Sequence, residues 1–398
     1  MFESKLGKWS DIIKFPIIPV AAYVVPDYPS PTKLMVYSAY SPTAFGGERG
    51  KTQFAEYNWV TGVTSTREVA ETNHDMFCPG MSALGDGRLI ITGGSNAEKT
   101  TIYDPKDNKF TSAPDMKVAR GYQSSAILSN GKIFTIGGSW SGPRGGKPGE
   151  IYDPNANSWT LLPGAAVEPM LTQDHEGIFR EDNHAWLFPW RNGTVFQAGP
   201  SKAMNWYYTD NEGGTSHAGV RDYFNDAMCG VHVMYDVSKI FSAGGSQWYD
   251  DSPALSVAHL IEIDNVGAPA KVENLPNMRH ARAFANVIFT PPYLNTGSPR
   301  PVIDNLKFAT VAPGGKLEVE MKGSADGVKF SLIRIGSVTH NVNSDQRRVP
   351  LNPKVDGNKV ELPILNDQGV MLPGAWYLFA VSKEGVPSVA KTVYVSQV

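Results

Sequence analysis

The feature that most constrains this chain is an internal repeat. A turn pair, an apolar strand and a glycine pair recur as Asp86-Gly87-Arg88-Leu89-Ile90-Ile91-Thr92-Gly93-Gly94 and Asn130-Gly131-Lys132-Ile133-Phe134-Thr135-Ile136-Gly137-Gly138. Weaker copies read Asn192-Gly193-Thr194-Val195-Phe196-Gln197-Ala198-Gly199 and Ser238-Lys239-Ile240-Phe241-Ser242-Ala243-Gly244-Gly245. Asp-Gly and Asn-Gly accept the positive φ angles of a type I′ turn, and the closing glycines permit a tight bend where backbones crowd, so each copy is expected to be a hairpin. Ile102-Tyr103-Asp104-Pro105 and Ile151-Tyr152-Asp153-Pro154 follow the first two copies, with Phe110 and Trp159 as the next aromatic markers. The repeat is thus a unit of four strands.

The markers Gly93, Gly137, Gly199 and Gly244 lie 44, 62 and 45 residues apart. That spacing matches kelch-like β-propeller blades with one insertion, and a further blade is expected around residues 33–40. Glycine pairs also mark ordinary antiparallel meanders, but a meander would not make spacing and internal motif agree. From about Arg300 the markers stop, and short alternating strands such as Lys316-Leu317-Glu318-Val319-Glu320-Met321 and Ala375-Trp376-Tyr377-Leu378-Phe379-Ala380-Val381 fit an immunoglobulin-like β-sandwich. The expected organisation is all-β: a propeller over 1–297 and a sandwich over 298–398. With 39 Gly and 29 Pro, composition agrees.

The net charge of -3 gives no cationic excess for nucleic acid or an anionic membrane surface. No run of about 18 apolar residues predicts a transmembrane helix. Met1-Phe2-Glu3-Ser4-Lys5-Leu6-Gly7-Lys8-Trp9 lacks the apolar core and cleavage site of a secretory signal. The 2 cysteines, Cys78 and Cys229, do not fix a redox compartment, since pairing cannot be assumed from sequence.

Fifteen residues before each glycine marker stand Cys78, Tyr122, His184 and Cys229. Equivalent positions in successive blades point the same way, so these four should ring the central axis near the start of the inner strands. Cys78 and Tyr122 then fall in adjacent blades, a thiol beside a phenol. They are either an oxidisable pair or simply a small buried residue beside a core aromatic.

The strings around these positions resemble the galactose oxidase family of fungal copper-radical alcohol oxidases. They are Asn73-His74-Asp75-Met76-Phe77-Cys78-Pro79-Gly80, Ala119-Arg120-Gly121-Tyr122-Gln123-Ser124-Ser125, Gly137-Gly138-Ser139-Trp140-Ser141-Gly142, Asp182-Asn183-His184-Ala185-Trp186-Leu187-Phe188, Ala203-Met204-Asn205-Trp206-Tyr207-Tyr208 and Thr339-His340-Asn341-Val342-Asn343. The resemblance runs from about Leu6 to the C-terminus. It implies that Tyr122 is a copper ligand joined by a thioether to Cys78, that the crosslinked phenol is the radical site, and that Trp140 stacks over it. It also implies that His340 reaches from the sandwich to bind copper, a donor type copper(II) favours. The implied reaction oxidises a primary alcohol, such as a galactoside, to an aldehyde while dioxygen becomes hydrogen peroxide. Arg180, Phe45 and Asp174 match pocket positions, whereas Glu176 and Phe179 stand where galactose oxidase has glutamine and tyrosine, which opens aryl or other primary alcohols as substrates. An extracellular monomer is implied as well.

The resemblance has a gap. The family's Tyr-His dipeptide, its second phenol and second imidazole, has no counterpart here. Met278-Arg279-His280-Ala281-Arg282-Ala283-Phe284 repeats the spacing of Met116-Lys117-Val118-Ala119-Arg120-Gly121-Tyr122, so a sixth blade begins. Ile288-Phe289-Thr290-Pro291-Pro292-Tyr293-Leu294 then resembles the family's link to the C-terminal domain. The resemblance leads us to expect that about two blades, on the order of 100 residues, are missing near 285–288, together with the family's N-terminal carbohydrate-binding domain. With two of four ligands left, weak copper binding and little oxidase activity are expected. The competing expectation is a non-catalytic kelch propeller that binds a glycan or a protein on its axial face.

Overall fold

The computed structural model describes residues 12–284, 299–340 and 342–397. The N-terminal stretch Met1 to Trp9, the junction near 285–288, the link 288–294 and Asn341 lie outside them.

Five antiparallel four-stranded meanders follow one another, each a propeller blade. The first holds Ala21–Val25, Lys33–Tyr37, Thr52–Asn58 and Val63–Val69, where a further blade was expected, and the second holds Gly80–Ala83, Leu89–Thr92, Thr100–Asp104 and Lys109–Ala113. The third holds Ser124–Ile127, Ile133–Ile136, Gly149–Asp153 and Ser158–Leu162. The fourth holds Leu187–Pro189, Val195–Gln197, Ala203–Tyr208 and Gly214–Val220, and the fifth Val231–Asp236, Lys239–Ala243, Ala258–Glu262 and Lys271–Leu275.

Each glycine-marked segment is the second strand of its blade. Leu89–Thr92 and Ile133–Ile136 are buried at every position, because neighbouring blades cover both faces, while the outer strand Lys109–Ala113 is mostly exposed. The aromatic markers sit on fourth strands and reach back to the preceding blade. Phe110 packs against Phe54 at 4.6 Å between ring centroids, and Trp159 donates its indole N–H to Thr100 Oγ1 (3.2 Å) and the Pro114 carbonyl (3.1 Å).

The turns depart from the expected type in the first two copies. Gly87 (φ 88°) and Gly131 (φ 76°) are left-handed, but Asp86 and Asn130 are not. Instead Asp86 Oδ1 accepts from the Arg88 N–H and Asn130 Oδ1 from the Lys132 N–H, both at 3.1 Å, while the Gly87 N–H donates to the Leu84 carbonyl at 3.1 Å. Side-chain capping by Asp and Asn therefore selects a longer turn that ends in a glycine bulge. Only the third copy has both turn residues left-handed, Asn192 (φ 56°) and Gly193 (φ 65°).

Beyond the fifth blade, residues 278–284 take the place where a sixth would start. The Gly245 N–H donates to the Arg282 carbonyl (2.8 Å) as Gly94 does to Arg120 (2.9 Å), and Phe284 donates to Cys229 (3.1 Å) as Tyr122 does to Cys78 (2.8 Å).

The remaining strands form two facing sheets. One runs Ile303–Leu306, Lys316–Met321, Lys359–Pro363, Lys354–Asp356; the other runs Thr310–Val311, Lys391–Val395, Gly374–Val381, Lys329–Arg334, Arg348–Leu351. Between them and the blades passes the segment 337–347. Its strand Ser337–Thr339 pairs with Ala21–Tyr23, adding a fifth strand to the first blade. Two arginines with almost no exposure fix this crossing. Arg334 donates to the Ala83 (3.1 Å) and Pro373 (2.8 Å) carbonyls and lies 3.4 Å from Asp345, and Arg347 donates to Pro189 and Gly369, both at 2.8 Å. Buried cations persist only with such partners. The crossing delivers His340 to the axis.

Candidate active site

The four residues picked out by their offset share an unusual backbone. Cys78 (φ 61°), Tyr122 (φ 65°), His184 (φ 58°) and Cys229 (φ 56°) are all left-handed, as is Phe284 (φ 54°), where the described residues break off. Non-glycine residues pay about 1–2 kcal/mol for that conformation, so it persists only where the surroundings hold it. A backbone bond joins Tyr122 to Cys78 (2.8 Å), and another joins His184 to Tyr122 (3.0 Å). The bend turns each side chain toward the axis just before an inner strand begins.

Tyr122 is the centre of the cluster. Trp140 stacks on it at 4.9 Å and 20°, and the rings of His184 and His340 lie 4.5 and 4.7 Å away. Tyr249 donates its hydroxyl to the Tyr122 hydroxyl at 3.2 Å. Cys78, fully buried, packs with Tyr122, Phe77 and Ala39, and its Sγ lies 3.5 Å from His340 Nε2. The Trp140 loop is anchored from below. Asp182 accepts from the Ser139 N–H (2.8 Å) and hydroxyl (2.6 Å), and Lys147 Nζ donates to the Ala119, Gly138 and Ser141 carbonyls at 2.7, 2.8 and 2.6 Å.

Hydrogen bonding fixes the tautomer of His340. The Thr339 hydroxyl donates to the Val20 carbonyl (3.2 Å), so its oxygen accepts the Nδ1 proton at 2.7 Å, and Nε2 turns a lone pair toward the cluster. Burial lowers His340 to about 4 and holds His184 well below its ordinary value, so both imidazoles are neutral near neutral pH. Burial also pushes Tyr122 and Tyr249 well up, and it raises Cys78 against the opposing hydrogen bond with Tyr122. His184 Nε2 is buried without a hydrogen-bond partner. Without an ion the phenols keep their protons, and two neutral imidazoles face them. Two phenol oxygens and two imidazoles are a donor set that copper(II) accepts.

The residues proposed for substrate are divided. Arg180 lies over the rings of Tyr249 (4.2 Å) and Tyr122 (5.5 Å) and forms an ion pair with Glu176 at 2.8 Å. Phe179 sits beneath the guanidinia of both Arg180 (4.9 Å) and Arg144 (4.6 Å). Asp174 is buried, and its oxygens accept backbone N–H groups of Glu176 (2.9 Å) and Tyr249 (2.7 Å), so it positions the Tyr249 loop. Phe45 is exposed and stacks on Phe77 at 4.5 Å, on the other side of the cluster. Tyr249 was not singled out from sequence. It lies in the loop after the glycine marker of its blade, as Trp140 does, and that loop is the signal that could have found it.

Comparison with known proteins gives four findings. Residues 300–395 match the family model "Galactose oxidase-like, Early set domain". A galactose oxidase of Gibberella zeae is 38% identical over 98% of this chain and 71% of its own length. A solved fungal alcohol oxidase, described as catalytically diverse within the AA5 family and in complex with copper, superposes with a TM-score of 0.92 at 36% identity, over 98% of this chain and 99% of that one. A 94-residue stretch is also 31% identical to an F-box/kelch-repeat protein of Arabidopsis thaliana, over 22% of this chain and 20% of that protein.

Proposed function

The chain belongs to the galactose oxidase family, and from that premise we propose that it oxidises primary alcohols to aldehydes with dioxygen, giving hydrogen peroxide, at a turnover well below that of a complete family member. The convergence of Trp140, Cys78 and His340 on Tyr122 carries this reading. Tyr122 and His340 would hold copper, which when bound supplies a one-electron acceptor beside the oxidisable phenol.

The chain's own residues account for the rest. Cys78, packed against Tyr122, would supply the sulfur of a thioether to its ring, a step that would remove two hydrogens from the pair and reduce dioxygen to hydrogen peroxide. Trp140 covers one face of that ring and keeps water off it. Arg180 would orient a substrate hydroxyl, but Glu176 already satisfies part of its charge, and Phe179 beside Arg180 and the exposed Phe45 stacked on Phe77 present aromatic surface on two sides of the cluster. That surface suits an aryl alcohol better than a sugar. A secreted protein fits the family, and among the described residues no helix is long and apolar enough to cross a membrane.

Two observations support slow turnover. The alignment with the Gibberella zeae relative runs over 487 positions against 398 residues here, so at least 89 of its positions have no counterpart, in keeping with an internal truncation. In the ion-free chain the phenol of Tyr249 donates to Tyr122, so it still holds its own proton and is no base for a substrate until that proton is lost. The test is peroxide release from the copper-loaded chain with benzyl alcohol and with galactose. We expect a slow rate that favours benzyl alcohol and is lost in Y122F. A rate unchanged in Y122F contradicts the site, and rapid turnover contradicts the impairment.

A further inference from the structure

We propose that His184 and Tyr249 complete, with Tyr122 and His340, a substitute copper(II) site in which one imidazole and one phenolate come from positions other than the family's Tyr-His pair. The inference rests on the copper reading above and changes its donor count from two to four.

Geometry carries it. The Tyr249 and Tyr122 oxygens are 3.2 Å apart. Two oxygens bound side by side to one ion at about 2 Å each are separated by about 3 Å, so the phenols already sit at nearly the spacing of neighbouring ligands. The His184 ring lies 4.5 Å from Tyr122, 5.5 Å from Tyr249 and 5.6 Å from His340, centroid to centroid. Its Nε2 is buried with no partner, an arrangement that protein interiors rarely leave unexplained. His340 carries its lone pair on Nε2, because Nδ1 is committed to Thr339, and that nitrogen now meets only the Cys78 thiol at 3.5 Å, a weak contact that an ion would replace.

Charge balance agrees. The imidazoles are neutral and need lose nothing, and each phenol that binds releases one proton to solvent. Copper(II) with two phenolates is then neutral overall, which a buried site tolerates far better than a bare dication. Arg180 lies over both phenol rings, a cation beside the oxygens that would carry the charge. His184 is reached by no role in the proposed turnover, and Tyr249 is held in place by Asp174. Both are thereby explained as ligands.

The experiment is copper(II) titration of the copper-free full chain at neutral pH, read by affinity, by proton release and by the nitrogen hyperfine pattern in electron paramagnetic resonance. The expected result is one copper bound with two nitrogens and about two protons released. H184A should weaken binding at least about tenfold and leave one nitrogen, and Y249F should weaken it similarly and release about one proton fewer. If Y122F and H340A weaken binding while H184A and Y249F do not, the substitute site is wrong and the family reading stands. If none of the four matters, both fail. Two nitrogens retained in H184A would put His184 beside the metal rather than on it and overturn the assignment. Should H184A lose its cooperative melt, H184Q and Y249F, which preserve more of the packing, carry the same test.

Discussion

His74 couples the fold to pH through one side chain. It is fully buried, with Nε2–H donating to the Gly93 carbonyl (2.8 Å) and Nδ1 accepting from the Thr101 hydroxyl (2.9 Å), so only the neutral ring fits. Burial lowers it to about 4, and does the same to His232, which stacks on Trp186 at 4.8 Å. The unfolded chain takes up these protons near pH 6.5 and the folded chain only near 4. Their contribution is therefore intact above about 6.5, falls as pH drops toward 4, and is constant below, at roughly 1 kcal/mol per pH unit for each ring. Asp75, pushed up to about 6 by burial, acts in the opposite direction, so the histidine term is read by difference. Urea unfolding of wild type and of the double variant H74Q/H232Q should show a shallower acid decline in the variant. Identical slopes would mean that these rings do not set it. At this scale the sequence was informative where an offset repeats, as for Cys78, Tyr122 and His184, and where a long string resembles the family, as for Trp140 and His340. It was weakest on Tyr249, which shares with Trp140 only a place in the loop after a glycine marker, and local spacing does not say that such a residue of the fifth blade will meet a phenol of the third.

The loop that carries Trp140 depends on a residue with no side chain. At Gly121 a Cβ would lie 2.7 Å from Trp140 Cε3 and closer still to the Ser141 hydroxyl. Gly121 also bridges Ser139, which Asp182 holds. G121A should therefore push the indole off Tyr122 and cost about 1–3 kcal/mol of stability by overpacking. The check is a thermal melt together with the aromatic circular dichroism of the copper-free chain. An unchanged melt and spectrum would show that the loop yields freely and that the Trp140 contact is not tightly held. Blade strands were legible because burial on both faces writes a continuous apolar run such as Leu-Ile-Ile-Thr, and spacing then repeats it. The turn type was not, since Asp86 and Asn130 close the turn with their side chains and leave only the following glycine left-handed.

The whole molecule is held together by the passage of 337–347 from the sandwich through the blades. Arg334, Arg347 and Asp345 anchor that passage, and Met234 of the fifth blade bridges Arg347. The axial cluster can thus form from the blades described, because His340 is placed by the sandwich and by the first blade. This interlock was not readable from sequence, which showed two architectures in series but not the strand they share. The central claim is that Tyr122 and His340 hold copper at this axis. Anomalous diffraction at the copper edge from crystals of the copper-loaded chain tests it most directly. The account predicts a peak within bonding distance of Tyr122 Oη and His340 Nε2. A peak only at the exposed rim group of His175, Glu176 and Asp250, or no peak at all, would contradict it.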